Sequence, residues 1–129
     1  MTALNENAIT LLARITGIDA KTVGMKTLYT VPAGKYFVPD HIVRRTSAFT
    51  RGSKTTQALA SFGCNDPTYD DLLNSVEYTV TINSSFHRDS AENAEVPVYS
   101  PGSVFKLSIE TASDADTETW DIDVLGYLI

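Results

Sequence analysis

The sequence predicts an all-β protein, a single jelly-roll-like β-sandwich of about eight short strands with an N-terminal arm or short helix. Apolar and polar residues alternate in several runs, most clearly in residues 76–82 and 105–110, as they do in strands that bury one face. Turn-forming residues separate the runs about every 8 to 12 residues, which is typical of sandwiches. Strands do not alternate with long helical patterns and no glycine-rich phosphate loop is present, which argues against an α/β fold.

Length and charge narrow the functional classes. The chain has 129 residues, 43% of them hydrophobic, so one domain with a substantial core is expected. The formal net charge of −6 argues against binding to nucleic acid or to an anionic membrane, because both require a basic face. Cys64 is the single cysteine, so an internal disulfide and a cysteine-type metal site are not expected. No membrane span or signal peptide is predicted, and we expect the chain to fold in a cytoplasm.

The N-terminal residues 1–25 are expected to form an arm or short helix, apart from the sandwich of residues 26–129. A helix would be capped by Asn5 and ended by Gly17. The apolar spacing also allows an extended arm. The helical stripe would comprise Ile9, Leu12, Ala13 and Thr16, whereas the arm would present Ile9, Leu11 and Ile15. In either form we expect this segment to pack on a neighbouring molecule.

The first strand of the sandwich should end in a tight turn. Residues 27–31 are β-branched and aromatic, which suits a pleated surface. The next four residues read Pro-Ala-Gly-Lys. We expect Pro32 to fix φ at the second position of the turn and Gly34 to take a positive φ at the third or fourth.

The following run, residues 36–46, predicts a strand with one irregularity. Pro39 cannot donate a hydrogen bond to a neighbouring strand, so an edge, a bulge or a kink is expected there. Beyond Pro39 the residues should alternate between two faces. One face would carry Ile42 and Arg44, and the other His41, Val43 and Arg45.

Later segments predict two loops and an anchored C-terminal end. Residues 63–75 are rich in turn formers and predict an ordered loop with one helical turn at residues 69–73. Residues 83–95 predict a polar loop, followed by a brief strand at residues 96–99. Residues 126–129 are apolar, so we expect them to be tied into a sheet or an interface.

One loop brings together the residue types of a hydrolytic triad. Ser84, His87 and Asp89 are near one another in sequence. A triad is assembled from separate parts of a fold, and the strained elbow that usually carries the nucleophile is missing. We therefore expect a solvated loop or a partner contact here and no enzyme activity.

Two acidic groups could suggest other chemistry. Asp114, Asp116 and Glu118 alternate as they do at the start of a calcium loop, but the glycine and the distal glutamate of such a loop are missing. Asp121 and Asp123 form a carboxylate pair of the kind that glycosidases use. On an exposed strand such carboxylates more often discourage edge pairing. We expect no metal, no cofactor and no catalytic residue.

Three short motifs carry a resemblance to a known class of proteins. Residues 26–35 read KTLYTVPAGK, residues 61–63 read SFG, and residues 126–127 read GY. This combination resembles small β-sandwich structural proteins of tailed bacteriophages. The resemblance extends over most of residues 27–129. It implies no active site.

The resemblance implies a place in the virion. It implies a capsid decoration or cement protein, trimeric, that docks on the major capsid protein or another virion protein and stabilises the shell. The alternative is the tip of a tail or head fibre that binds a host-surface glycan, through loops around residues 86–88 and Tyr69. A third hypothesis, from another class, is a small carbohydrate-active enzyme or calcium-dependent module.

The expected partner interface combines apolar ends with a basic cluster. Arg44, Arg45 and Arg51 are positive in an acidic chain, so they could dock an acidic partner surface, including that of another copy. The N-terminal and C-terminal apolar residues would extend this contact. The interface residues predicted from sequence are Ile9, Leu11, Leu12, Ile15, Arg44, Arg45, Tyr127, Leu128 and Ile129.

Overall fold

A computed structural model describes residues 8–90 and 97–129. It contains eight strands in two four-stranded sheets and no α-helix in these residues. No helix in the described ranges is long and apolar enough to cross a membrane. The strands are β1 (Thr10–Asp19), β2 (Gly24–Thr30), β3 (Phe37–Thr50), β4 (Ala58–Gly63), β5 (Leu73–Tyr78), β6 (Phe86–Ser90), β7 (Val104–Thr111) and β8 (Thr117–Leu128).

The strand order is that of a jelly roll. The front sheet has the order β1-β8-β3-β6 and the back sheet the order β2-β7-β4-β5. The antiparallel pairs β1·β8, β2·β7, β3·β6 and β4·β5 are those of one long hairpin, in which the first strand meets the last. The pairs β3·β8 and β4·β7 then roll this hairpin into two sheets. The all-β sandwich with about eight strands is therefore confirmed.

Aromatic side chains fill the space between the sheets. Phe37 from the front sheet meets Phe105 from the back sheet edge to face, with ring centroids 5.7 Å apart. Trp120 from β8 meets Tyr78 from β5 at 5.2 Å. All four residues are fully buried. Because each pair joins the two sheets, these contacts fix how the sheets stack.

Of the two forms predicted for the N-terminal segment, the short helix is wrong for the described residues. Thr10–Asp19 is strand β1, and it pairs with β8 of the same chain. The register shifts twice, between Leu11 and Ala13 and between Ile15 and Ile18. These bulges turn residues 12, 13, 15 and 18 towards the core, so the apolar spacing imitates a helical stripe. The expected cap at Asn5 lies outside the described residues.

The turn after β2 differs from the expected one in a single respect. Lys35 N–H donates to the carbonyl of Pro32, so Pro32 occupies the first position of the turn and not the second. Gly34 occupies the third position with φ of +75°, and this positive φ is confirmed. A side chain at position 34 would be strained by the backbone conformation alone.

Strand β3 confirms the irregularity predicted at Pro39. The register against β8 shifts between Pro39 and His41, which is a bulge, and β3 lies inside the sheet and not at its edge. Beyond the bulge, Ile42 and Arg44 are buried in the interior. His41, Val43 and Arg45 alternate with them, as predicted.

Two predicted loop features are wrong. The loop at residues 64–72 contains turns but no helical turn at residues 69–73, because β5 already begins at Leu73. Within the loop predicted for residues 83–95, Phe86–Ser90 is strand β6, paired with β3. Its polar composition is typical of an edge strand, so the apolar pattern of the sequence does not predict it. Residues 91–96 lie outside the described part.

The remaining predictions have mixed outcomes. The strand expected at residues 76–82 ends at Tyr78. The brief strand expected at residues 96–99 is reduced, in its described part, to one bridge between Tyr99 and Phe37. The C-terminal end is tied into the front sheet as expected, since Ile129 and Tyr36 exchange two backbone hydrogen bonds.

Candidate docking surface

The outer face of the front sheet carries an unusual combination of arginine and apolar side chains. Cross-strand register brings these residues together from four strands: Leu11 faces Leu125, Arg14 faces Asp123, and Arg45 faces Phe86 and Asp121. Residues directly opposite one another in a sheet project to the same side. We call this surface the arginine face and define it by Leu11, Arg14, Val43, Arg45, Phe86, Arg88, Asp121, Asp123, Leu125 and Tyr127.

Two arginines share one carboxylate at the centre of the arginine face. Arg14 donates from Nε to Asp123 Oδ1 (2.8 Å) and from Nη2 to Oδ2 (3.0 Å). Arg45 donates from Nη1 to Oδ2 (2.8 Å) and from Nη2 to Oδ1 (3.1 Å). The cluster joins β1, β8 and β3, and two cations against one anion leave it with an excess positive charge. Paired forks of this kind hold both guanidinium planes in fixed orientations.

The electrostatics of this cluster favour the ionised carboxylate. The hydrogen bond from Arg14, followed by that from Arg45, lowers the pKa of Asp123 to about 2. The same carboxylate raises the pKa of both arginines. The Asp123 side chain is only 6% exposed, whereas those of Arg14 and Arg45 are 52% and 37% exposed. The positive groups therefore face solvent, and the negative group lies beneath them.

Apolar side chains flank the cluster. Leu11 is 44% exposed and Phe86 is 67% exposed. Val43 and Leu125 are half-buried and lie on the side of the sheet that faces away from the core. Arginine and aromatic residues next to apolar ones are the composition that distinguishes protein interfaces from ordinary surface.

Arg44 lies on the opposite side of β3 from the arginine face. It is 2% exposed, and its guanidinium carbon lies 5.3 Å from the ring centroids of both Tyr78 and Trp120. Nη1 donates to Thr46 Oγ1 at 2.7 Å, while Nε is buried without a hydrogen-bond partner. Burial lowers the pKa of Arg44. The basic cluster expected from sequence is therefore divided, with Arg44 inside and Arg45 outside.

The other predicted interface residues are distributed over several environments. Leu11, Arg45 and Tyr127 are brought together on the arginine face. Ile9 and Ile129 are exposed at 46% and 54%, next to the first and last strands. Three residues instead pack against the core: Leu12, Ile15 and Leu128.

The acidic hairpin does not bring its three carboxylates together. Asp114 accepts hydrogen bonds from the backbone N–H of Thr56 and from the hydroxyl and backbone N–H of Thr55, which lower its pKa to about 2. Glu118 points into the interior and pairs with Lys54 at 2.9 Å. In the described ranges, no group of three or more His, Cys, Asp or Glu residues could hold a metal ion.

His87 is held by groups that belong to the sandwich. Its Nε2 lies 3.1 Å from Asp89 Oδ1, and its ring meets Tyr78 edge to face at 5.4 Å. Asp89 accepts a hydrogen bond from the Tyr78 hydroxyl at 2.6 Å. Ser85 Oγ lies 3.0 Å from Thr46 Oγ1. These contacts attach the edge strand β6 to the core.

Sequence reasoning missed part of the site for identifiable reasons. The sequence does not predict Arg14 as a site residue, because nothing local links it to a carboxylate 109 positions away. The sequence predicts a polar loop around Phe86, so it does not predict the position of Phe86 opposite Arg45. The alternation of residues 120–125 correctly predicts that Asp121 and Asp123 project away from the core, and this pattern is the sequence signal for the site.

The chain is similar to known proteins in structure, to chains of three phage capsids. No protein-family model and no curated protein matches the chain. A chain from "Capsid of Ralstonia phage GP4" matches with a TM-score of 0.61 and 12% identity, over 98% of this chain and 87% of that chain. A chain from the acidic stable capsid structure of Helicobacter pylori bacteriophage KHP30 matches with a TM-score of 0.58 and 13% identity, over 95% and 96%. A chain from the cyanophage Pam1 capsid asymmetric unit matches at 0.54 and 8%, over 95% and 86%.

The chain shares its fold with proteins of three phage capsids. The matches extend over nearly the whole jelly roll, in this chain and in each of the three. The resemblance to phage virion proteins that the sequence motifs indicated is thus confirmed as a likeness of fold.

Proposed function

We propose that this chain is a structural protein of a tailed-phage virion, located on the capsid shell as a decoration or cement protein. The observation that carries the proposal is the match of 95% or more of the chain to chains of three phage capsids. The role is mechanical: the protein binds its neighbours and stabilises the shell without catalysing a reaction. Its partners would be the major capsid protein and further copies of itself, in a trimer.

The surface chemistry supports such a role. A shell protein needs a broad, rigid surface that presents fixed charges and apolar groups. The arginine face supplies both, because Arg14 and Arg45 are held by Asp123 and lie between exposed apolar residues. The side chains are ordered before binding, so less conformational entropy is lost when a partner docks.

The proposal is tested on virions of the phage that encodes the chain. Capsids and tails are separated, and the chain is quantified in each fraction by mass spectrometry against the major capsid protein. We expect a fixed stoichiometry in the capsid fraction. Deleting the gene should give capsids that release their DNA at a lower temperature, and adding back the purified chain should restore the original temperature.

Two outcomes would contradict the proposal. If the chain were found only in the tail fraction, a fibre-tip role would replace the capsid role, and binding to a glycan array would then be measured. If it were missing from purified virions, the structural role itself would be wrong. A chain that is present in capsids but does not change their heat stability would be a decoration protein without a cement function.

A further inference from the structure

The arginine face is positive on a protein that is otherwise strongly acidic. It carries three arginines and two aspartates, a formal charge of +1, whereas the whole chain carries −6. The remainder of the chain therefore carries −7. Exposed carboxylates outside the face include Asp19, Asp66, Glu77, Glu110, Asp114 and Asp116. Carboxylates that can meet the arginine face of another copy are thus exposed on the same chain.

We propose that the arginine face binds an acidic surface on a second copy of this chain, so that successive copies associate head to tail. This inference deepens the proposed function, because it names the surface through which copies would contact one another. Complementary charge would steer the encounter and fix the orientation of the two copies. Apolar contact through Leu11, Val43 and Phe86 would supply the non-directional part of the binding free energy.

Charge argues against the simplest alternative, in which two arginine faces pack against each other. A twofold contact places each surface against itself. Two faces of the same net positive charge would then meet, while Asp123 is already saturated by its own arginines. Arg88 on the adjacent strand would add to the repulsion. A contact between two different surfaces avoids this cost and produces rings or filaments instead of dimers.

Strand β6 offers substitutions that test the face without disturbing the Asp123 cluster. Phe86 is 67% exposed and Arg88 is also exposed, so changing either leaves the core intact. The test variants are Arg88→Glu, Phe86→Ser and the double variant. Arg51→Glu is the matched control, because it reverses one exposed charge in the turn between β3 and β4, outside the arginine face, where an added negative charge should not weaken a contact made through acidic groups.

The experiment measures molar mass by light scattering after size exclusion, over a range of protein concentrations. We expect the wild-type chain to form a species of three or more copies at low salt. We expect it to dissociate in about 1 M salt, where the screening length falls to about 3 Å. Arg88→Glu with Phe86→Ser should weaken self-association at least ten-fold, by one charge reversal and one lost apolar contact, while Arg51→Glu should not. Thermal unfolding verifies that the variants are folded.

Each contrary result overturns the inference. A wild-type monomer at every concentration would mean that the face does not bind a second copy. A dimer would indicate a twofold contact, and an oligomer unchanged by the β6 variants would place the contact elsewhere. These outcomes are separate from those of the proposed function, since a monomer can still bind capsids in the virion assay, and an oligomer can fail to do so.

Discussion

Replacing the buried Lys54 with methionine should destabilise the protein far more than replacing the exposed Lys35. Lys54 Nζ donates to Glu118 Oε1 at 2.9 Å and to the carbonyl of Val80 at 3.0 Å. The two side chains of the ion pair are only 2% and 0% exposed. Methionine retains most of the side-chain volume, so the substitution removes the charge and leaves the Glu118 carboxylate buried without the ammonium group that pairs with it.

The size of the effect follows from these contacts. Removing one partner of a buried ion pair costs about 3–5 kcal/mol. Glu118 keeps two donors, the Ser113 hydroxyl at 2.7 Å and Trp120 Nε1 at 2.9 Å, so we expect the lower end, about 3 kcal/mol. In a domain of this size such a loss should lower Tm by about 10–15 °C. Combining Lys54→Met with Glu118→Gln removes both charges, and we expect this double variant to cost less than the sum of the two single variants.

Urea and thermal unfolding measure these differences, with Lys35→Met as the control because Lys35 is exposed in a turn. The control should remain within about 0.5 kcal/mol of wild type. If Lys54→Met also stayed within about 1 kcal/mol, or if the double variant cost the full sum, the ion pair would not have the structural role described above.

Three further predictions concern other parts of the fold. The pKa of Asp123 is lowered to about 2, so the ionised carboxylate contributes to the free energy of unfolding. We expect a contribution of about 1–2 kcal/mol, because solvent screens the exposed arginines. It should be complete above about pH 4 and lost as the pH falls towards 2. Asp123→Asn should remove this pH dependence of unfolding, and an unchanged acid profile would contradict the pairing with Arg14. Gly126→Ala should cost about 1–3 kcal/mol, because an added Cβ would collide with the backbone carbonyl oxygen of Val38, and unchanged stability in urea would refute this close approach. Burial raises the pKa of Cys64 to about 12, so a thiol reagent at pH 8 should react with it far more slowly in the native protein than in urea, and equal rates would be inconsistent with the structure.

The sequence was most informative where structure is local. The alternation of Phe105, Leu107 and Ile109, and that of Trp120 and Ile122, identifies β7 and β8, because every second residue enters the core. Strand β1 was ambiguous, since its two bulges break the period of two on which such identification depends. Strand β6 was missed because an edge strand with polar residues has no apolar alternation.

The candidate site was less predictable than the fold because it depends on contacts between distant positions. Three of the nine interface residues predicted from sequence lie on the arginine face: Leu11, Arg45 and Tyr127. The pairing of Arg14 with Asp123 spans 109 positions, and that of Lys54 with Glu118 spans 64. No local pattern encodes such pairings, which arise only when the fold brings segments that are distant in sequence together.

The position of β8 has a consequence for the order in which the protein is made. It is the last of the eight strands to leave the ribosome, yet it lies between β1 and β3 in the front sheet. Before β8 emerges, β1 and β3 lack their shared neighbour, and Arg14 and Arg45 have no Asp123 to hold them. A nascent or truncated chain therefore cannot display the arginine face. If copies associate through the arginine face as proposed, translation must reach β8 before a copy can recruit others, and the topology of the fold would exclude shorter products from assembly.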